Sequence, residues 1–342
     1  MPIEPATIAS MRIAILLVTV STLVFAQPPK GWTKGKGYGW VYGSNDEVGS
    51  LNGINTADRV LAAIRSVKSG RVYDLGVPLD RNSYKWPGHS PTEVMSYRSP
   101  AGVKTMKDVP GFGLAPRGLA WHSCALFISD NVGTQIDGLG HITTGADNHW
   151  YNGFKEQDHG TDFGIRRADA DSIPPIVGKA LMIDVAGWKG VDALPANFAI
   201  GSKELQATLA KQSIDVEPGD IVLIRTGTLR YWGSNGSDHA RIAAHDSAGL
   251  TYEGARWLVE QKGAVMIGSD TSGLEVGADP ALPGVPNRVH EYLLIEQGVH
   301  IGEFFHLEGL AQNKVYRFTL IAMTNHIKGA VAGTAMRPIA IE

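Results

Sequence analysis

The chain has one cysteine in 342 residues, Cys124, so no internal disulfide can form and stability has to come from buried side chains. Its 31 Lys and Arg are balanced by 34 Asp and Glu, and they never gather into a basic run. Nucleic acid is thereby excluded as an expected partner, because a phosphate backbone is held by grouped cations. Charged residues make up only 19% and hydrophobic residues 43%, which describes a folded globule rather than a disordered tail. No apolar stretch approaches the roughly 20 residues that span a bilayer. The longest, residues 13–25 of "MRIAILLVTVSTLVFAQPPKGW", follows Arg12 and stops at Ala26. It reads as a secretory signal peptide over residues 1–26, with an uncleaved anchor as the other reading. Export to the periplasm or beyond follows from the first, with no stable membrane span after cleavage.

Beyond the expected cut, residues 27–45 are rich in Gly, Lys and aromatics and read as an extended arm laid over the surface. Residues 46–342 alternate β-rich runs with helical periods. "RVYDLGVPL", "CALFISD", "ALMIDV", "DIVLIRT", "AVMIGSD" and "VYRFTLIAMT" are expected strands, which would bury Cys124. Residues 55–67, 202–211, 252–262 and 287–297 are expected helices, the first turning Val60, Leu61 and Ile64 inward. Gly263 and Gly298 sit where helices commonly stop. Such mixing indicates one α/β domain whose loops carry the chemistry.

One loop stands out. "NVGTQIDGLGH", residues 131–141, combines Asn131, Gln135, Asp137 and His141 with glycines that let the backbone turn sharply. The four side chains could converge on a metal ion, or Asp137 could cap a turn while His141 bonds locally. A second cluster, "NRVHEYLLIEQGVHIGEFFHLEGL", puts His290 on a helix and Glu303 after an apolar run. A carboxylate in such a place costs several kcal/mol of desolvation unless it is paired or holds a cation. His290 alone could equally be an ordinary helix histidine, and His300, His306 and Glu308 could be surface residues. His239, His245 and His159 read as solvated loop histidines, the last in a possible lid, and Asp270 reads as structural.

The loop resembles the signature HxGTHxDxPxH of the Putative cyclase superfamily, metal-dependent hydrolases that include bacterial kynurenine formamidase and isatin hydrolase. Gly133, Thr134, Asp137 and His141 match it. Asn131 and Gln135 replace histidines, and Leu139 replaces proline. "GSNDEVGSLNGI", "HWYNGF", "VEPGDIVLIRTG" and "KGAVAGTAMRPIAI" resemble further segments of the longer members, in the expected order, so the likeness spans roughly residues 40–342.

The resemblance implies a single domain of the swivelling β/β/α type, with a mixed central sheet or barrel-like core and flanking helices. It also implies two ion sites: one at Asn131, Gln135 and Asp137, the other at Asp137, His290 and Glu303, with His141 as proton shuttle. Amides in place of imidazoles remove nitrogen donors that borderline metals favour. One divalent ion, Mn²⁺ or Zn²⁺, on Asp137, His290 and Glu303 is therefore the expected cofactor, with Asn131 and Gln135 reaching the ion, its water or the substrate. Metal-activated water attacking an amide, lactam or ester carbonyl of a small, flat molecule is the expected reaction. Ring closure or dehydration on the same ion is one alternative, and a metal-free exported binding protein another. Trp86, Trp121, Trp150, Tyr151, Phe304 and Phe305 are candidates for the substrate pocket, with core packing as the common fate of any one of them. A homo-oligomer is implied by the resemblance alone.

Overall fold

The computed structural model describes Met1 and residues 28–90, 92–111, 117–233 and 237–342. Apart from Met1, the expected signal segment lies outside the described residues. Among the described residues, no helix is long and apolar enough to cross a membrane.

A nine-stranded mixed sheet organises the chain, in the order Val72–Asp74, Ile339–Ile341, Arg317–Ala322, Ile176–Asp184, Ile221–Arg225, Met266–Ser269, His300–Glu303, Gln135–Asp137 and Ala332–Gly333. The four strands from Ile176–Asp184 to His300–Glu303 run parallel, and antiparallel strands flank them on both sides. Their sequences explain the position. Ile221, Val222, Leu223 and Ile224 are each at most 1% exposed, the unbroken apolar run of a strand covered on both faces. Each such side chain contributes roughly 1.5–3 kcal/mol by leaving water. This is the expected α/β fold, a curled mixed sheet with flanking helices.

The helices follow their apolar periods. Ser202–Gln212 buries Leu205, Thr208 and Leu209, and the Glu204 carboxylate accepts from the Gly201 N–H at its start. The helices beginning at Tyr252 and Arg288 each finish in a π turn, at Gln261 and Glu296. At Gly298, φ is +59° and a Cβ would lie 2.5 Å from the Tyr151 ring, so only glycine fits. In Ala57–Arg65 the structure corrects the inward face: Ala63 is buried, while Leu61 and Ile64 are exposed.

Several short elements departed from expectation. Cys124 lies on Ser123–Phe127 as expected but is exposed, because that strand pairs only with Glu93–Arg98 in a separate ribbon. His239 and His245 begin and end a helix rather than sitting in a loop. His159 ends a one-turn helix and packs edge-on against Trp150 and Phe154. Near the start of the described chain, Trp32 donates to the Val259 carbonyl and Trp40 to that of Ile295.

At the carboxyl ends of the parallel strands a buried ionic network ties neighbours together. Arg225 forks onto Glu308 at 2.7 and 3.0 Å and reaches Asp184 at 2.8 Å. Asp270, fully buried, accepts from the Thr226 N–H and hydroxyl and the Gly227 N–H. Burial raises its pKa to about 6, with the nearby Arg225 charge opposing. Glu308 is thus no surface residue. Replacing Arg225 by Ala strands two carboxylates and should cost about 3–5 kcal/mol in urea unfolding. Removing the exposed Arg71 should stay within about 0.5 kcal/mol, and equal losses would show that the network is not a structural clamp.

Candidate metal centre

The strand Gln135–Asp137 pairs antiparallel with His300–Glu303, placing Gln135 opposite Glu303 and Ile301 opposite Asp137. Side chains alternate along a strand, so Gln135, Asp137 and Glu303 share one face while Ile136 enters the core on the other. Gly133, at φ +68°, makes the preceding turn; a Cβ there would lie 2.5 Å from Leu79. The Thr134 hydroxyl clamps the turn, accepting from the Val77 N–H and donating to the Phe304 carbonyl at 2.7 Å. Phe304 itself holds φ +51°, a conformation that costs a bulky residue about 1–3 kcal/mol and tends to collect at functional sites. It directly follows Glu303.

The third side chain comes from the connection between two parallel strands. His290 closes the last α turn before the π segment, with Asn287 at φ +52° ahead of it. Its Nδ1 is hydrogen-bonded to Glu275. That bond directs Nε2 toward Asp137 Oδ2 at 3.9 Å and Glu303 Oε1 at 3.6 Å. A carboxylate behind the imidazole is the usual support of a metal-binding histidine. Sequence reasoning missed Glu275. The one available signal was a lone acid between Leu274 and Val276, both buried.

All three expected ligands are buried, Asp137 at 0%, Glu303 at 3% and His290 at 7% exposed, with His290 between the other two. The Asp137 Oδ2 atom is buried with no hydrogen-bond partner. An orphaned carboxylate oxygen inside a protein costs several kcal/mol unless a cation meets it, so the donor set fits a divalent ion. Asp137, His141 and His290 form an overlapping triad whose donor atoms lie within 4.8 Å of one another. His141 thus stands within reach of the same point.

The two amides do something narrower than expected. Asn131 donates to Asp137 Oδ1 at 3.1 Å, and Gln135 donates to Glu303 Oε2 at 2.8 Å and to Asp137 Oδ1 at 3.3 Å. Their N–H groups occupy the carboxylate oxygens turned away from His290. Neutral donors there take over part of the work a second cation would do, and the Gln135 carbonyl oxygen remains buried without a partner.

Burial and mutual charge set the protonation of these groups. Burial works against charge on His290, but hydrogen bonds to Glu275 and Glu303 and their negative charges outweigh it and raise its pKa to about 10. Burial and the neighbouring Asp137 raise Glu303 to about 8, with His290 opposing. For His141 burial dominates and lowers the pKa, the charge of Asp137 only partly countering it. Its ring is therefore neutral near neutral pH. His300 proves fully buried, bridging the carbonyls of Asp137 and Val48. His306 is half-buried.

The aromatic candidates divide. Trp150, Tyr151, Phe304 and Phe305 are all at most 1% exposed and pack in the core. Trp121 is half-buried ahead of Ser123–Phe127. Trp86 alone of the six lines the cavity of about 290 Å³ that opens beside His290 and Glu275.

The family model described as "Putative cyclase" matches residues 73–276. The chain belongs to that cyclase family. Among solved structures it is similar to a crystal structure of a novel cyclase, at 26% identity over 90% of this chain and 99% of that one, TM-score 0.75. Isatin hydrolase A from Labrenzia aggregata, bound to benzyl benzoate, is 21% identical over 80% of this chain and 94% of its own, TM-score 0.54. Isatin hydrolase A from Ralstonia solanacearum is 19% identical over 79% and 91%, TM-score 0.55. These last two share the fold. No curated protein matches the sequence. For this cyclase-family chain, a cation must displace the protons that His290 and Glu303 otherwise hold. Binding of a divalent cation should release protons and tighten as pH rises from about 6 to about 9, measured by calorimetry in buffers of different ionisation heat. Affinity independent of pH would contradict the assignment.

Proposed function

We propose that this chain is a metal-dependent hydrolase acting on an amide, lactam or ester carbonyl of a small molecule. The observation that carries the reading is Asp137 Oδ2, buried and without a hydrogen-bond partner, 3.9 Å from His290 Nε2, which itself lies 3.6 Å from Glu303 Oε1. Asp137, His290 and Glu303 would hold one divalent ion, Mn²⁺ or Zn²⁺ by the mix of oxygen and nitrogen donors. Such an ion, when bound, supplies the Lewis acidity that makes water nucleophilic near neutral pH and stabilises charge on a carbonyl oxygen.

The chain's own residues provide the rest. Glu275 fixes the His290 ring so that Nε2 is the coordinating atom. Asn131 and Gln135 hold Asp137 and Glu303 in place by their N–H groups. His141, neutral because burial disfavours its charge, takes a proton from the attacking water and returns it to the departing nitrogen or oxygen. Its Nδ1 lies 3.5 Å from the Asn131 amide. The isatin hydrolases that share the fold support the hydrolytic direction. Export of the processed chain and self-association belong to the same proposal.

Protein purified without chelator should carry about one transition metal per chain and turn over at least one of a panel of formamides, lactams and lactones. Changing His141 to Gln should lower turnover by ~10² with metal content unchanged. Full turnover in that variant removes His141 from the chemistry, and loss of the metal instead would make it a ligand.

A further inference from the structure

The cavity beside His290 has a second carboxylate that the hydrolytic reading does not use. Asp246 follows the helix His239–His245 and lines this space together with Tyr84, Trp86 and Ser272. It accepts from the Ser272 N–H at 2.8 Å, from the Ser272 hydroxyl, and from the Tyr84 hydroxyl at 3.3 Å. Among the described residues no Lys, Arg or His pairs with it. The other charges around the cavity are already matched. Glu275 is bonded to His290, and Arg288 turns to Glu291 and Glu296 at 3.1 and 2.7 Å. Asp279 is the exception, accepting only the backbone N–H groups of Tyr252 and Ala281. What is left over is negative.

A half-buried carboxylate with neutral donors only, flanked by two aromatic rings, is built to meet a cation. Ionised carboxylates accept up to about four hydrogen bonds, and Asp246 uses three. Ammonium groups are attracted to the faces of Trp and Tyr within about 6 Å. Burial holds the Asp246 proton more tightly than usual, with the Ser272 and Tyr84 bonds opposing, and an adjacent ammonium would favour its ionised form. His290, whose Nε2 lies 3.9 Å from Asp137, also lines this cavity, so cavity and candidate metal centre adjoin.

We propose that Asp246, with Trp86 and Tyr84, is the specificity element of this enzyme and selects substrates that carry a protonated amine beside the carbonyl to be cleaved. The assignment rests on the hydrolytic reading for the position of that carbonyl. It places the amine in the compartment between Trp86 and Ser272, and it disfavours substrates with a carboxylate there.

Three formanilides that differ only in one meta group, hydrogen, aminomethyl or carboxylate, test the point on the metal-loaded enzyme. The aminomethyl compound should exceed the unsubstituted one in kcat/KM by about tenfold, and the carboxylate should fall below it by a similar factor, the size of one charge-assisted hydrogen bond. Asp246→Asn should bring the three within about threefold of one another while keeping the metal content of the parent. Trp86→Ala, at a 52% exposed position that folding does not depend on, should lower only the aminomethyl preference. Equal or better use of the carboxylate, or an unchanged preference in Asp246→Asn, overturns the proposal. Calorimetric binding of benzylamine and of benzoate to the same protein separates the two failures. If nothing in the wider panel of formamides, lactams and lactones is cleaved the hydrolytic reading fails, yet benzylamine should still bind the parent and not Asp246→Asn, and benzoate binding as well as benzylamine would overturn the selectivity itself.

Discussion

Asp137 and Glu303 are two carboxylates held out of water on one face of neighbouring strands, and much of the surrounding architecture answers that constraint. Separated from solvent, they require compensation. It arrives in three forms: the amide N–H groups of Asn131 and Gln135, the imidazole of His290, and the space beside Asp137 Oδ2 that suits a cation. Each is delivered by a different piece of the chain. The short strand Gln135–Asp137 adds antiparallel to the edge of the parallel block, and His290 comes from the helical connection that crosses between two of its strands. The centre therefore sits at the carboxyl ends of parallel strands, where open α/β sheets commonly bind ligands.

Rigidity comes from below the site. Arg225, Asp184, Glu308 and Asp270 lock the same strand ends, and the strained Phe304 is over-determined by bonds to Thr271 and Thr134. A ligand set of one imidazole and two carboxylates needs such support, because catalytic geometry tolerates displacements of only about 0.5 Å. Glu275 extends it outward: the acid that orients His290 also borders the cavity in which Asp246 waits. The candidate metal centre and the cavity thus meet at one histidine.

The replacement of two imidazoles by amides has a physical sense once the geometry is in view. Histidines at 131 and 135 would bring nitrogen lone pairs toward the Asp137 carboxylate and call for a cation between them. Asn131 and Gln135 bring N–H donors instead, which bind the carboxylate directly. The amides thus satisfy part of the carboxylate charge from within the protein.

Residue pattern alone carried a good deal. The unbroken apolar run at residues 221–224 and the helix periods ending at Gly263 and Gly298 were legible, because sheet burial and helix stops restrict residue type locally; the approach of His290 to Asp137 and His141 was expected only through the family resemblance. Legibility failed where identity depends on what stands opposite. Gln135–Asp137 and His300–Glu303 are too short to announce themselves as strands, and only their pairing makes them so. Whether an aromatic packs or recognises is decided by its neighbours: Trp150 and Tyr151 vanish into the core while Trp86 faces a cavity. Glu275, Asp246 and His300 gained their roles only from partners far away in the chain, at His290, Ser272 and Val48. Sequence determined the fold class and the chemical kind of the centre. Which carboxylates are buried together, and which line a cavity, was decided by tertiary structure, since desolvation and pairing are properties of a place and not of a residue.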